Sequence, residues 1–205
     1  MKKLLLSLVL FFVSFCAFAA LTPAQQTILR NAVKAEPTMQ TTITTRDSTV
    51  LVSWFNEINV TPFYVWKTSV STSDIYDNIT WANFTPQDAP DGTQIWANRS
   101  LACQGKQFNL QTILVGRDSV NPTKSNIRAG LQDALTGIPS GASGATKSGG
   151  WNNVQAIMYR NTTRTEQLLA TGTGTTSSPA FMGFEGSISQ NDVSVILWND
   201  DGTPK

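Results

Sequence analysis

The chain has 205 residues and a formal charge of +1, from 15 Lys and Arg against 14 Asp and Glu, and it contains no histidine. A charge this small excludes nucleic acid or an anionic membrane as a partner held by charge alone. The missing histidine excludes Ser-His-Asp and Cys-His catalytic sites and zinc sites built on imidazole. Any catalysis would rest on carboxylates or lysine, and we expect a non-enzymatic protein with no catalytic, cofactor-binding or metal-binding residues.

The first nineteen residues have the three parts of a secretory signal peptide. Lys2 and Lys3 form a charged start, 4–18 are almost entirely apolar, and the segment closes on Ala17-Phe18-Ala19. The apolar stretch is shorter than the roughly 20 residues that a transmembrane helix needs. We expect cleavage before Ala20 and a soluble mature chain, 20–205, without membrane contact. Retention of the apolar segment for another use is the alternative.

The mature chain opens with two predicted helices. Thr22-Pro23-Ala24-Gln25 combines an N-cap threonine, a proline at the first helical position and a glutamine that completes a capping box, and Glu36-Pro37 ends the run. Residues 38–45 are rich in threonine without a clear period, which predicts a connector. Asp47 or Ser48 then caps a second helix, whose apolar positions are Val50, Leu51, Trp54, Phe55 and Ile58.

The middle of the chain is predicted to be mainly helical. Residues 63–66 are expected to form an extended segment or a buried turn, 71–81 a short helix and 84–92 a loop. A longer helix is expected from 93 to about 116, in which Gly105 marks a bend or a close contact. The apolar set of this helix comprises Ile95, Trp96, Leu101, Ala102, Phe108, Leu110, Ile113 and Leu114.

A further helix is predicted to begin near Pro122 and Thr123 and to end at Gly137. Residues 137–150 contain five glycines and predict a flexible Gly/Ser-rich loop. The helical pattern that follows, over 151–169, drifts at Asn161-Thr162-Thr163, where we expect a kink.

The last part of the chain contains the predicted β structure. Residues 180–184 are candidate strand residues, Ser189 and Asp192 begin a final helix or strand, and 199–205 are expected to be a frayed tail. Helical patterns dominate overall, and no internal repeat is present. We therefore predict a mainly α fold, a single compact multi-helix domain over 20–205 with a small β element near the C-terminus.

Four features suggest a functional site, and each also has a plain structural explanation. Gly172-Thr173-Gly174 is a possible anion cradle, but its spacing matches neither common phosphate-loop pattern, so we predict a turn. Cys103 stands alone once Cys16 leaves with the signal, and we expect it to be a small buried side chain rather than a reactive thiol. Tryptophans can stack on sugars, yet most lie at apolar positions of predicted helices, which favours core packing or subunit contact. They are Trp54, Trp66, Trp81, Trp96, Trp151 and Trp198.

The acidic residues form the fourth feature, because a pair held at the right separation would support glycoside hydrolysis. No sequence pattern selects a pair, and helix caps and solvated faces explain most of them. The acids considered are Asp74, Asp77, Asp88, Asp91, Asp118, Asp133, Glu166, Glu185 and Asp192.

The closing block of the chain resembles a known family. It consists of 164–174 (RTEQLLATGTG), 178–180 (SPA) and 184–193 (FEGSISQNDV), and the segments 21–26 (LTPAQQ) and 65–70 (VWKTSV) agree with it. The chain is similar over nearly its whole mature length to small proteins of unassigned role encoded among the virion structural genes of tailed bacteriophages. The resemblance implies no catalytic residues. It implies a structural role at the head-to-tail connection or in the tail, through self-association and contacts with portal or tail proteins.

The signal-like segment precedes the family-like opening and leaves other functions open. An exported periplasmic or surface protein that binds a host or a glycan is the main alternative to a virion subunit. A carboxylate-dependent cell-wall hydrolase is a third class, and it would require two acids that face each other across a groove.

Overall fold

Helices form most of the computed structural model, which describes residues 21–84, 101–139 and 145–205. The signal-like segment at 1–19 lies outside these ranges and stays a prediction. The same holds for the loop after Phe84 and for the first part of the helix predicted from residue 93.

The described residues form nine α-helices and six short strands, which confirms a mainly α fold. The strands pair antiparallel in twos, β1 with β6, β2 with β3 and β4 with β5. The helices are α1 Pro23–Ala35, α2 Gln40–Thr45, α3 Ser48–Asn56, α4 Thr72–Asp77, α5 Leu101–Leu114, α6 Ser125–Leu135, α7 Trp151–Ile157, α8 Arg164–Leu169 and α9 Gln190–Leu197. The strands are β1 Tyr64–Trp66, β2 Val70–Ser71, β3 Ser119–Val120, β4 Ile138–Pro139, β5 Thr146–Lys147 and β6 Tyr159–Asn161.

Local capping signals place three helix starts correctly. Thr22 and Gln25 form the expected capping box at α1. Asp47 caps α3 by accepting hydrogen bonds from the next backbone N–H groups. Ser189 forms a capping box with Asp192, so the final element is the helix α9 rather than a strand. Each cap satisfies N–H groups that have no partner inside the helix.

The connector predicted over 38–45 is wrong. A 3₁₀ turn at Pro37–Met39 leads directly into α2, where Ile43 is buried. The hydroxyls of Thr44 and Thr45 donate to carbonyls one turn earlier, at Gln40 and Thr41. Threonines that bond to the preceding turn fit a helix without a clear apolar period.

The predicted bounds of two central helices also change. The helix expected over 71–81 is the shorter α4, and a separate 3₁₀ turn follows at Trp81–Phe84. The helix predicted to begin near Pro122 and Thr123 starts at Ser125, after a turn in which the Asn121 side chain accepts from the Thr123 N–H.

The kink predicted at 161–163 is instead a complete break between two helices. The chain leaves α7 at Ile157, forms β6 opposite β1, and starts α8 at Arg164. The Asn161 side chain accepts from the Phe63 N–H at 3.0 Å, and the buried Thr162 hydroxyl donates to the Phe63 carbonyl. These bonds to a distant segment replace helical hydrogen bonds.

The flexible loop predicted over 137–150 is paired at both of its described ends. Ile138 and Pro139 in β4 pair with Thr146 and Lys147 in β5. The Ile138 side chain is fully buried, and this burial explains why the hairpin packs onto the core. The middle of the predicted loop, 140–144, lies outside the described residues.

The small β element expected at 180–184 is not confirmed. Ala180 and Phe181 make only isolated bridges, to Val65 and to Thr171. The tail at 199–205 is not frayed, because the Lys205 N–H donates to the Leu197 carbonyl and the Asn199 N–H to the Thr203 carbonyl.

The described core consists of two clusters of buried side chains. The central core comes from 66–158, and the terminal core joins 21–55 with 169–198. The chain passes between them twice, outward through β1 and back through β6, whose pairing joins the two halves. Segments near both ends of the described chain, which include Leu21 and Trp198, therefore lie in the same core.

Gly150 is a position at which the surrounding backbone leaves no room for a side chain. It has φ +96, and an added Cβ would lie 2.7 Å from the Asn78 carbonyl oxygen. Gly150→Ala is expected to lower the free energy of unfolding by about 2 kcal/mol or more. The control is Gly105→Ala, because Gly105 lies inside α5 with nothing within 4 Å of an added Cβ. That change is expected to raise the same free energy by about 0.5–1 kcal/mol, and equal urea-unfolding curves for the two variants would contradict the packing at Gly150.

Candidate functional site

Helix α5 carries apolar side chains on two opposite faces. Its inner face buries Cys103, Leu110 and Leu114 in the central core. On the other side, Leu101 is 85% exposed and Phe108 and Val115 are each 67% exposed. Val115 directly follows the last residue of α5, and its N–H donates to the Gln111 carbonyl as in the helix. The three residues are spaced by seven, so they form one stripe along α5 and its end.

Two small residues complete this stripe. Gly105 and Thr112 fall between the large residues, and the 4-3-4-3 spacing from Leu101 to Val115 is that of a coiled-coil seam. Both are exposed, and an added Cβ at Gly105 would meet nothing within 4 Å. We call these five residues the outer face of α5. On this face small residues separate the bulky side chains, and Gly105 leaves an open notch between Leu101 and Phe108.

The apolar residues of α5 lie only partly where the sequence predicts them. The sequence predicts one apolar set for this helix, with Leu101 and Phe108 in it together with Leu110 and Leu114. The structure divides that set between the two faces. The sequence predicts a bend or a close contact at Gly105, and the described residues show no close contact there, because an added Cβ would meet nothing within 4 Å. The seven-residue spacing was the sequence signal that separates the faces.

Arg160 lies at the centre of an ion-pair cluster between the two cores. Its guanidinium binds Glu166 through two parallel hydrogen bonds, each 2.7 Å long. Glu185 lies 3.5 Å from the same guanidinium and accepts a hydrogen bond from the Thr68 hydroxyl. Glu166 is 3% exposed and Glu185 is half-exposed.

The charged form of Glu166 is favoured in the folded protein. Burial by itself raises the pKa of Glu166, but the Arg160 hydrogen bonds and charge and the N–H groups of Thr163 and Gly186 outweigh it. The net pKa lies below the ordinary value of a glutamate. A carboxyl group that holds no proton near neutral pH and whose oxygens are bonded to donors is unsuited to act as a general acid.

Three of the other candidate acidic residues have structural explanations. Asp192 caps α9, Asp133 pairs with Lys106, and Asp74 lies in the first turn of α4. Glu166 and Glu185 are brought together, but Arg160 stands between them as a shared partner. Asp88 and Asp91 lie outside the described residues.

The tryptophans divide between the core and the surface. Trp66, Trp151 and Trp198 are buried, as core packing requires. Trp81 is 44% exposed and stacks on Tyr76 with ring centres 5.8 Å apart. Trp54 is half-buried under Arg164, and Trp96 lies outside the described residues.

The remaining candidates have structural roles. Gly172 and Gly174 have φ of +130 and +68, and Gly174 closes against the Phe63 ring, as expected for a turn that needs glycine. Cys103 is fully buried in the central core, where we expect no reaction with external thiol reagents.

Two further properties concern metals and membranes. Within 21–84, 101–139 and 145–205, no three His, Cys, Asp or Glu side chains are grouped to hold a metal ion. No helix in these ranges is both long and apolar enough to cross a bilayer.

No protein-family model matches the chain, and no curated protein or solved structure shows significant similarity to it.

Proposed function

We propose that this protein is a non-enzymatic structural subunit of a tailed-phage virion, placed at the head-to-tail connection or in the tail. The observation that carries the proposal is the outer face of α5. A helix that is apolar on opposite sides is typical of a position between two packed layers. The described residues supply only one of those layers, and exposed apolar stripes of this kind mark protein contacts.

The shape of the outer face favours a second copy of this chain as its first partner. Phe108 projects from the helix one turn away from the open notch at Gly105. Two such faces brought together can seat the Phe108 ring of each copy over the other's notch, as knobs fit into holes. A face that carries both the knob and the hole is self-complementary, which an isologous dimer requires.

Portal or tail proteins are the further partners in this proposal. A helix of this length is about 20 Å long, so its outer face supplies only part of the roughly 800 Å² per partner that a stable interface buries. Other exposed apolar positions, Ile58 and Val60, lie in the loop after α3, where Val60 is 89% exposed. They are candidates for a second contact of the assembled subunit.

The test is the location and the N-terminus of the protein in producing cells. Intact mass is measured on purified virions and on the periplasmic fraction. A stoichiometric chain in the particles is the expected result and would establish the structural role. A chain that begins at Ala20 in the periplasm and is missing from particles would overturn it.

The alternative function is an exported periplasmic or surface binding protein, and the signal-like segment at 1–19 favours it. The same mass measurement separates the two, since only the exported protein loses its first nineteen residues and leaves the cytoplasm. Genes for capsid, portal or tail proteins beside the coding sequence would favour the virion subunit.

A further inference from the structure

A cleft of about 280 Å³ opens beside Arg128, between α6, α7 and the turn before Phe181. Trp66 and Trp151 form its apolar walls, and Phe181 lies at its exposed rim. No carboxylate from the described residues lines it. Its other polar side chains are Gln132, Gln155, Ser177 and Ser178.

The Arg128 guanidinium is held between aromatic rings. Its central carbon lies 4.4 Å from the Trp66 ring centre and 5.8 Å from the Phe181 ring centre. One of its N–H groups donates to the Pro122 carbonyl. A guanidinium has five N–H donors in one plane, so stacking on its flat faces leaves its edge available for an acceptor.

Arg128 is a partly buried cation without an anion in the described parts of the chain. The ion pairs found there join Lys106 to Asp133, Arg160 to Glu166 and Glu185, and Arg164 to Glu57. None includes Arg128. Burial lowers the pKa of Arg128, as expected where water is removed from a cation and no acid compensates.

Arg164 has the same kinds of contact as Arg128 and also a carboxylate partner. Its guanidinium also lies 4.4 Å from a tryptophan ring centre, that of Trp54, and it donates to a backbone carbonyl. In addition, it binds the Glu57 carboxylate at 2.9 Å. Arg128 has no such carboxylate among the described residues, and its side chain lines the cleft.

We propose that this cleft binds the carboxylate of a ligand about the size of one amino-acid residue. A single cation with neutral amides and hydroxyls suits a monoanion, because phosphate dianions are usually met by several cations or helix N-termini. Such a carboxylate belongs either to a free small acid or to the C-terminal residue of a polypeptide. The site does not depend on the virion role.

The test uses four probes on the full protein as purified from producing cells. They are N-acetylalanine, its primary amide, a hexapeptide that ends in alanine with a free carboxylate, and the same hexapeptide amidated. Binding is followed by the NMR shifts of the Trp66 and Trp151 indole N–H groups. Both acids are expected to shift them, with a Kd on the order of 1 mM for N-acetylalanine, and both amides are expected to leave them unchanged.

Three variants locate the site. Arg128→Gln is expected to weaken binding of the acids at least about tenfold. Gln132→Glu places an acid one turn after Arg128 on α6, where it pairs with the guanidinium, so binding is lost while the thermal midpoint stays at or above that of the wild type. Arg164→Gln is the matched control, because Arg164 already has its own acid, and it is expected to bind like the wild type.

The outcomes separate the two ligand sources. A hexapeptide acid that binds at least about tenfold more tightly than N-acetylalanine assigns the site to a polypeptide C-terminus, and equal affinities assign it to a free acid. The proposal is overturned if neither acid shifts the two indoles, if the amides bind as well as the acids, or if a folded Gln132→Glu variant still binds.

Discussion

Glu166→Ala is expected to lower the free energy of unfolding by about 3 kcal/mol. Breaking a buried ion pair costs roughly 3–5 kcal/mol, because the remaining charge stays away from water without a partner. The lower end applies here, since the Arg160 side chain is 32% exposed and keeps Glu185 at 3.5 Å. The same change removes the acceptor of the Thr163 and Gly186 N–H groups.

Urea unfolding followed by circular dichroism measures this loss. Glu185→Gln is the matched control, because Glu185 pairs with the same guanidinium but is half-exposed, and it is expected to cost at most about 1 kcal/mol. Equal losses in the two variants would show that burial does not distinguish the two acids.

The same ion pair predicts an acid-dependent loss of stability. The pKa of Glu166 is lower in the folded chain than the unfolded value of about 4.3. The unfolded state therefore binds a proton first, and the contribution of Glu166 is complete above about pH 4.3 and lost as the pH falls through the folded pKa. Unfolding midpoints measured across this acid range should fall more steeply for the wild type than for Glu166→Gln.

Phe108→Glu is expected to weaken self-association strongly without unfolding the subunit. Phe108 is 67% exposed, so its replacement should change the free energy of unfolding by no more than about 0.5 kcal/mol. At a dimer interface, by contrast, an aromatic residue at the centre of the contact contributes about 2 kcal/mol or more. A buried charge at this position should therefore weaken self-association at least about 30-fold.

Sedimentation equilibrium measures the self-association, and incorporation into particles measures the biological effect. Val50→Glu is the control for the introduced charge, because Val50 is an exposed apolar residue in the first turn of α3, outside both proposed contacts. Unchanged self-association and unchanged incorporation of Phe108→Glu would remove the outer face of α5 from the proposed function.

Several features of the site were available in the sequence in principle. Thr163-Arg164-Thr165-Glu166 has the spacing of a capping box, and the structure forms that box at the start of α8. This motif predicts a helix start at 163, which excludes one continuous helix over 151–169. The seven-residue spacing of Leu101, Phe108 and Val115 likewise indicates a second apolar face on α5.

Other features of the site could not be predicted from any local sequence pattern. The Arg160 cluster also includes Glu185 and Thr68, which come from distant parts of the chain. The Arg128 cleft combines β1, α6, α7 and the turn before Phe181. The packing of the elements decides which arginine meets which acid. The spacing of residues along the chain carries no information about these pairs.

The sequence by itself determined the mainly α class, the starts of α1 and α3, and the residue at which the last element begins, because a cap is formed by side chains within three residues of the N–H groups that it satisfies. It left open whether the last element is a helix or a strand. The tertiary structure alone decided three features. Residues 159–161 form a strand, the described ends of 137–150 pair with each other as β4 and β5, and one of the two apolar faces of α5 is buried while the other is exposed. For the strand and for α5, the deciding contacts join residues that are far apart in the chain, and the hairpin is fixed by the burial of Ile138 in the central core. The free energy of such packing exceeds the small local propensities that favour another conformation.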